Sequence, residues 1–369
     1  MRLFTNSPLE YDLAIIGTAG LPARYGGFET LAEQLVINLA SRNRVVVGNS
    51  VVDSGSSSEE YKGAFLSSFK WKANGWQSIP YDIQSLFRLA PYSKTVLILG
   101  VSGCIALPIV RILWPSVRLV TNIDGIEWRR KKWGVLQKVF LRLSEWFAAR
   151  FSHVVIADNE GIRLYLRKSL KIDSVLIAYG GDCYEDTYKS KEVSVLTKNW
   201  PDFYFSVCRI EPENNIDIIL DAFFKLNIER VVIIGNWSAS VYGCLLKKKY
   251  SNVENILLLD PIYDQNILWN IRQKAKAHIH GHSAGGTNPT LVEAMFAGMA
   301  ALCFDVSYNR YTTNNKAFYW SNSEDLQKLI TSLKPSELTS NAMHMKSIAF
   351  KEYTWEAVSS KYREILQLN

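Results

Sequence analysis

Arg209, in the segment SVCRIEPENNID, stands directly after a short apolar run, with Glu211 and Glu213 two and four residues on. A guanidinium at the end of a buried strand can neutralise a diphosphate leaving group through paired hydrogen bonds. The same residue mixture also suits an ordinary strand-end ion pair. In HIHGHSAGGTNPTLVEAM, Gly285, Gly286 and Thr287 form an amide-rich turn just before a helix expected to begin near Pro289. Such a turn binds anions through its backbone N–H groups and the helix dipole. Glu293 lies about one turn into that helix, where its carboxylate can accept from sugar hydroxyls. Earlier in the chain, Gly26 and Gly27 close the loop GTAGLPARYGGFET immediately before another helix. Its G-x-x-G opening and long insertion do not fit the tight G-x-G-x-x-G turn of a nicotinamide-dinucleotide site. Two phosphate-compatible loops, one in each half of the chain, point to a nucleotide diphosphate ligand.

A fourth constellation is TNIDGIEWRRKKWG, where Asp124 and Glu127 follow a strand and can serve as a general base or orient an acceptor. Arg129 to Lys132 are four consecutive cations between Trp128 and Trp133. They read either as a solvated helix start or as a patch for anionic lipid headgroups or a pyrophosphate-linked acceptor. His278, His280 and His282 alternate along a strand, which puts them on one face and raises a metal reading. No acidic residue follows closely enough to complete that site, and hydrogen-bonded packing in a buried strand is the reading we adopt for the row. The chain has no D-x-D pair, which disfavours a metal-chelated diphosphate. Five scattered cysteines without a C-x-x-C pair read as thiols in a reducing compartment.

The elements that must position these residues alternate regularly. DLAIIG, RVVVGN, TVLILG, VRLVTNI and HVVIAD are short buried-strand patterns separated by helical stretches. Phe28, Leu31, Ala32, Leu35, Val36 and Leu39 share one helical face, and Leu136, Phe140, Leu143 and Phe147 form the stripe of another. After VLIAYGGD the rhythm restarts with FYFSVC, a helix over Ile216–Leu226, RVVIIGN, NILLLD, a helix over 265–276, AHIHG, a helix over 289–297 and AALCFD. This is an α/β chain of two doubly wound, Rossmann-like domains, with ligands expected beyond the carboxyl ends of the strands and in the cleft between domains. We delimit an acceptor-side domain over 1–181, a nucleotide-sugar domain over 182–345 and a closing helix over 346–369.

The 369 residues suit two domains, and 48% hydrophobic with 21% charged residues is ordinary globular composition, which excludes a disordered or collagen-like chain. A net charge of +7 favours anionic small molecules or an anionic membrane surface over nucleic acid. Thr95 to Trp114 has the length of a bilayer span, but two glycines, Pro108 and Arg111 make it read as a strand, a turn and a helix start. The N-terminal MRLFTNSPLEYD has no apolar core ahead of a cleavage site, so a cytoplasmic protein, peripheral on the inner face of the plasma membrane, is expected.

The motifs GTAGLPARYGGFETLAEQL, NIDGIEWRRKKWG, ADNEGI, CRIEPENN, IIGNW, LLDPIYD and HGHSAGGTNPTLVEAM run in order over most of the chain. With them the chain resembles the family 4 glycosyltransferases of the GT-B fold, and among these the bacterial polysaccharide rhamnosyltransferase-like group. The resemblance implies retaining transfer of a sugar, L-rhamnose from a dTDP donor, to a lipid-diphosphate-linked saccharide in capsule, O-antigen or cell-wall assembly. It places Gly26, Gly27 and Arg209 on the donor diphosphate and Glu293 on the nucleoside sugar, and it puts Asp124 and Glu127 near the acceptor. Asp124, Arg209 and Glu293 are the expected catalytic residues. Glu213, Asn214, Gly285, Gly286, Thr287 and Asn288 complete the donor contacts, and Glu29 joins Glu127 on the acceptor side. No metal and no cofactor is expected. The chain departs from the wider family at Gly285, where that family has a glutamate, and at Asn214, where it has a lysine. A sugar-nucleotide epimerase of the same architecture and a non-catalytic sugar-nucleotide-binding homologue therefore stay open as alternatives.

Overall fold

The computed structural model of the chain describes residues 10–23, 26–54, 58–129, 133–182 and 190–369. These form two compact units, Met1–Tyr179 with Glu356–Asn369, and Gly180–Trp355.

The first unit is built on eight strands: β1 (Tyr11–Ile16), β2 (Val45–Ser50), β3 (Glu60–Tyr61), β4 (Ala64–Phe69), β5 (Ser93–Leu99), β6 (Arg118–Ile123), β7 (Val154–Ala157) and β8 (Val175–Leu176). They lie in the order β3-β4-β2-β1-β5-β6-β7-β8. Every pairing is parallel except β3 with β4, which is antiparallel. The six residues of β2 are all buried, which a strand covered on both faces requires. Helix α1 (Gly27–Leu39) buries Leu31, Ala32, Leu35, Val36 and Leu39, the face read from the sequence. Thr95–Trp114 resolves into β5, a turn and α2 (Leu107–Leu113). Among the described residues no helix is long and apolar enough to cross a membrane.

Helix α3 (Val135–Phe151) corrects the stripe expected there. Its buried face is Leu141, Ser144, Glu145, Ala148 and Ala149, while Leu136 is 84% exposed and Leu143 also faces solvent. The reason lies in the anchors. Ser144 donates to the Val101 carbonyl and accepts from the Ile105 N–H, and Glu145 accepts from the Tyr165 hydroxyl at 2.6 Å. Small and hydrogen-bonded residues join Leu141 on the inward face here, and Leu136 and Leu143 turn out.

The second unit has six parallel strands: β9 (Tyr204–Val207), β10 (Val231–Ile234), β11 (Ile256–Leu259), β12 (Ala277–His280), β13 (Ala300–Phe304) and β14 (Phe318–Trp320), in the order β11-β10-β9-β12-β13-β14. Helix α4 (Ile216–Leu226) packs Ile216, Ile219, Leu220 and Phe223 into one core with Val231, Ile233 and Ile279. On the other sheet face, α5 (Gln265–Lys274) and α6 (Pro289–Phe296) cover Phe205, Val232 and Ile234. The expected single closing helix is two. Helix α7 (Pro335–Glu352) stays in the second unit, where Asn341 accepts from the Ala301 N–H at 3.0 Å and donates to the Lys316 carbonyl at 2.6 Å. Helix α8 (Trp355–Leu366) lies almost wholly in the first unit. There Tyr362 accepts from Asn122 at 2.7 Å, and Arg118 and Thr95 donate to the carbonyls of Ile365 and Leu366.

Candidate functional site

In the second sheet β9 is central, with β10 on one side and β12 on the other, so the winding reverses between β9 and β12. Open parallel sheets bind ligands beyond the strand ends at such a point. The loops leaving these two strands are the Arg209 loop and the HGHSAGGTN loop. They are zipped together. The Ser283 N–H and hydroxyl both donate to the Glu213 carbonyl, at 2.8 and 2.9 Å, and the Asn215 amide donates to Gly281 O at 2.7 Å. Asn214 is buried; its amide donates to the Arg209 carbonyl at 2.7 Å, and its Oδ1 lies 2.7 Å from His282 Nδ1. A Cβ at Gly281 would come within 2.0 Å of the Asn214 carbonyl, so only glycine allows this approach. Against this fixed backbone, Arg209 is half-buried, and its guanidinium makes no hydrogen bond or ion pair among the described residues.

Gly285 carries a φ of +96° at the turn into α6. Thr287 is buried. Asn288 is the N-cap, its Oδ1 accepting from the Thr290 N–H at 3.0 Å and the Thr290 hydroxyl at 2.8 Å, so its side chain belongs to the helix start. Glu293 projects from α6 and accepts through Oε2 from Nη2 of Arg272, a residue of α5 that is only 3% exposed. Glu293 Oε1 makes no hydrogen bond among the described residues. One oxygen is therefore fixed and the other is open to a ligand. Arg272 carried no sequence signal beyond its charge, since its partner is 21 residues away.

His278 and His280 lie on one face of β12 and His282 follows just beyond it, with successive ring centroids 5.6 and 6.1 Å apart. Burial holds His278 well below its ordinary pKa and His280 at about 3, so both are neutral imidazoles. Among the described residues no group of three or more His, Cys, Asp or Glu side chains could hold a metal ion.

The first sheet also reverses its winding, between β1 and β5. Gly17, after β1, has a φ of +86° and sits where a Cβ would meet the Leu99 carbonyl at 2.0 Å. Gly26 is the N-cap of α1 and Gly27 its first residue; Arg24 and Tyr25 of this loop lie outside the described residues. Glu29 reaches back along the loop, Oε1 accepting from the Ala19 N–H at 2.8 Å and the Thr18 hydroxyl at 3.4 Å. Burial raises its pKa. In this position Glu29 ties the glycine loop to the first helical turn.

Asp124 leaves the end of β6 half-buried. Its charge, with that of Asp158, helps push the Tyr179 hydroxyl well above its usual pKa, after burial as the main cause. That hydroxyl is buried and has no hydrogen-bond partner among the described residues. Sequence reading missed Asp158 and Tyr179, although each follows a short strand as Asp124 does. Glu127 accepts from the Trp133 indole at 3.1 Å. Trp128 donates to the Tyr165 hydroxyl at 3.3 Å, and the guanidinium groups of Arg129 and Arg142 lie 5.2 and 5.3 Å from its ring centroid. It is engaged within the fold. Arg130, Lys131 and Lys132 lie outside the described residues, as does Cys183.

Residues 11–182 match a family described as a domain of unknown function, DUF1972. Residues 189–351 match the family Glycosyl transferases group 1. No curated protein matches the sequence. Among solved structures, sucrose-phosphate synthase from Thermosynechococcus elongatus is similar with a TM-score of 0.79 at 12% identity, covering 96% of this chain and 98% of that one. Anabaena HepE, solved in complex with UDP and glucose, is similar at 0.76 and 15% identity over 97% of this chain and 100% of its own. A glycosyltransferase from Rickettsia africae is similar at 0.71 and 13% identity, with 97% and 98% covered. The architecture is that of GT-B proteins, two Rossmann-like parallel-sheet units, and the group 1 match supports a glycosyltransferase.

Proposed function

We propose that the chain is a retaining glycosyltransferase that moves a sugar, L-rhamnose from dTDP-rhamnose, onto a lipid-diphosphate-linked saccharide in bacterial surface polysaccharide assembly. The observation that carries the reading is Arg209: a half-buried residue whose guanidinium has no partner among the described residues, on a loop clamped at the winding reversal beside the Gly285–Thr287 turn. An uncompensated cation there is suited to a diphosphate, and HepE, with the same architecture, was solved with UDP and glucose. In this reading Arg209, the amides of Gly285, Gly286 and Thr287 and the N-terminus of α6 stabilise the diphosphate as its charge grows in the transition state. Glu213 lies on the same clamped loop. Glu293 Oε1 accepts from the nucleoside sugar while Arg272 fixes its other oxygen. Gly26 and Gly27 are the first unit's phosphate contacts. The acceptor hydroxyl attacks from the face the leaving group departs, and an oxygen of that group or Asp124 takes its proton. Neutralisation by side chain, amides and helix dipole requires no divalent ion.

A panel of nucleotide sugars, with and without membrane extract as acceptor, tests this by release of nucleotide diphosphate. Acceptor-dependent release with one donor, undiminished in excess EDTA, is the expected result. Epimerisation of the donor alone, or donor binding without turnover by any acceptor, would overturn it.

A further inference from the structure

The stripe on α3 that does not enter the core needs a partner. At 100° per residue, Val135, Leu136, Val139, Leu143 and Trp146 fall within an arc of about 100°, and all five are exposed. Beside α3 in the same unit, α2 exposes Ile109 and Ile112. Charge on α3 itself has one exposed sign. Lys138 and Arg142 border the arc and Arg150 falls within it, while the only acid of α3, Glu145, is buried and accepts from Tyr165. Arg111 adds a cation on α2, and Arg167 and Lys168 stand on a further segment in contact with α3, where exposed Asp173 lies 3.9 Å from Arg167 and leaves a net positive charge.

We propose that this α2–α3 face is a docking surface for an anionic lipid bilayer. A helix lying in the interface needs an apolar arc to bed at the acyl boundary and flanking cations for the headgroup phosphates, and α3 carries both. The site differs from the Trp128–Trp133 patch expected from sequence, because Trp128 is taken up by Tyr165, Arg129 and Arg142. The proposal rests on the glycosyltransferase reading only for its purpose, access to a lipid-linked acceptor.

Sedimentation of the full chain with phosphatidylcholine vesicles, pure or mixed two-to-one with phosphatidylglycerol, tests it in the absence of nucleotide sugar, so either reading can fail alone. Binding to the anionic vesicles is expected, weakening as salt rises from about 0.1 M to about 1 M. The double variant Leu136→Ser/Val139→Ser should bind at least about ten-fold less. Val241→Ser/Leu245→Ser, at exposed positions of the second unit, should bind like the parent. Both pairs are at the surface, and unchanged melting temperatures show that they fold. Equal binding to neutral and anionic vesicles, no binding, or no loss in the Leu136/Val139 variant overturns the proposal. So does a dimer of the parent chain that this variant disperses, which would assign the face to a second copy.

Discussion

Asn214 Oδ1 and His282 Nδ1 lie 2.7 Å apart, joining the loop after β9 to the loop after β12. At the position where the sequence resemblance implies a lysine, this chain has a clamp that holds the backbone carrying Arg209. Asn214→Lys buries an ammonium and removes both hydrogen bonds. We expect a loss of about 2 kcal/mol of stability and no gain in turnover, read by thermal melting and nucleotide diphosphate release. Higher turnover would show that the clamp is not what the position is for.

Arg209→Ala should lower turnover by about 100-fold or more, the scale for one oriented charge donor to a departing group. The melting temperature should hold or rise, because the guanidinium satisfies no protein group among the described residues. Full turnover in this variant would remove Arg209 from the mechanism.

Arg272→Met leaves the Glu293 carboxylate without its buried partner, at an expected cost of about 3 kcal/mol. The KM for donor should rise more than kcat falls, since Glu293 is proposed to bind rather than react. In Arg272→Met/Glu293→Leu, stability should recover while donor affinity does not. Recovery of both would place Glu293 outside the donor site.

His278 and His280 titrate far below an ordinary imidazole because they are buried. Once unfolded they protonate near pH 6.5. The unfolded chain therefore binds more protons below that value, and stability falls as pH drops from 6.5 toward about 3. The limiting slope is about 1.4 kcal/mol per pH unit for each imidazole. His280→Phe should lose less stability between neutral pH and about pH 4.5 than the parent chain; parallel melting curves would count against it.

Tyr179→Phe deletes a buried hydroxyl that has no hydrogen-bond partner among the described residues, so it should melt at or above the parent, a gain of up to about 1 kcal/mol. A lower melting temperature would reveal a partner that the described residues lack.

The strand and helix rhythm was legible because buried parallel strands and amphipathic helices impose short-range periods. Arg209, Asp124, Gly285 and Glu293 could be named for a related reason. Polar residues that end an apolar run sit at the edge of a parallel sheet, and a glycine turn before a helix exposes amides. The helix over Val135–Phe151 shows where this fails: its apolar period was visible, but Ser144 and Glu145 set its orientation through partners on other segments. Arg272 meets Glu293 from another helix, Asn214 meets His282 across two loops, and Trp355–Leu366 packs on strands more than two hundred residues earlier. The sequence by itself determined which segments would be strands and helices, and which residue types would stand at their ends. Tertiary structure decided which of those ends meet, which face of a helix is covered and which charges are left without a partner. Those outcomes depend on distances between segments remote in the chain, and no local period encodes them.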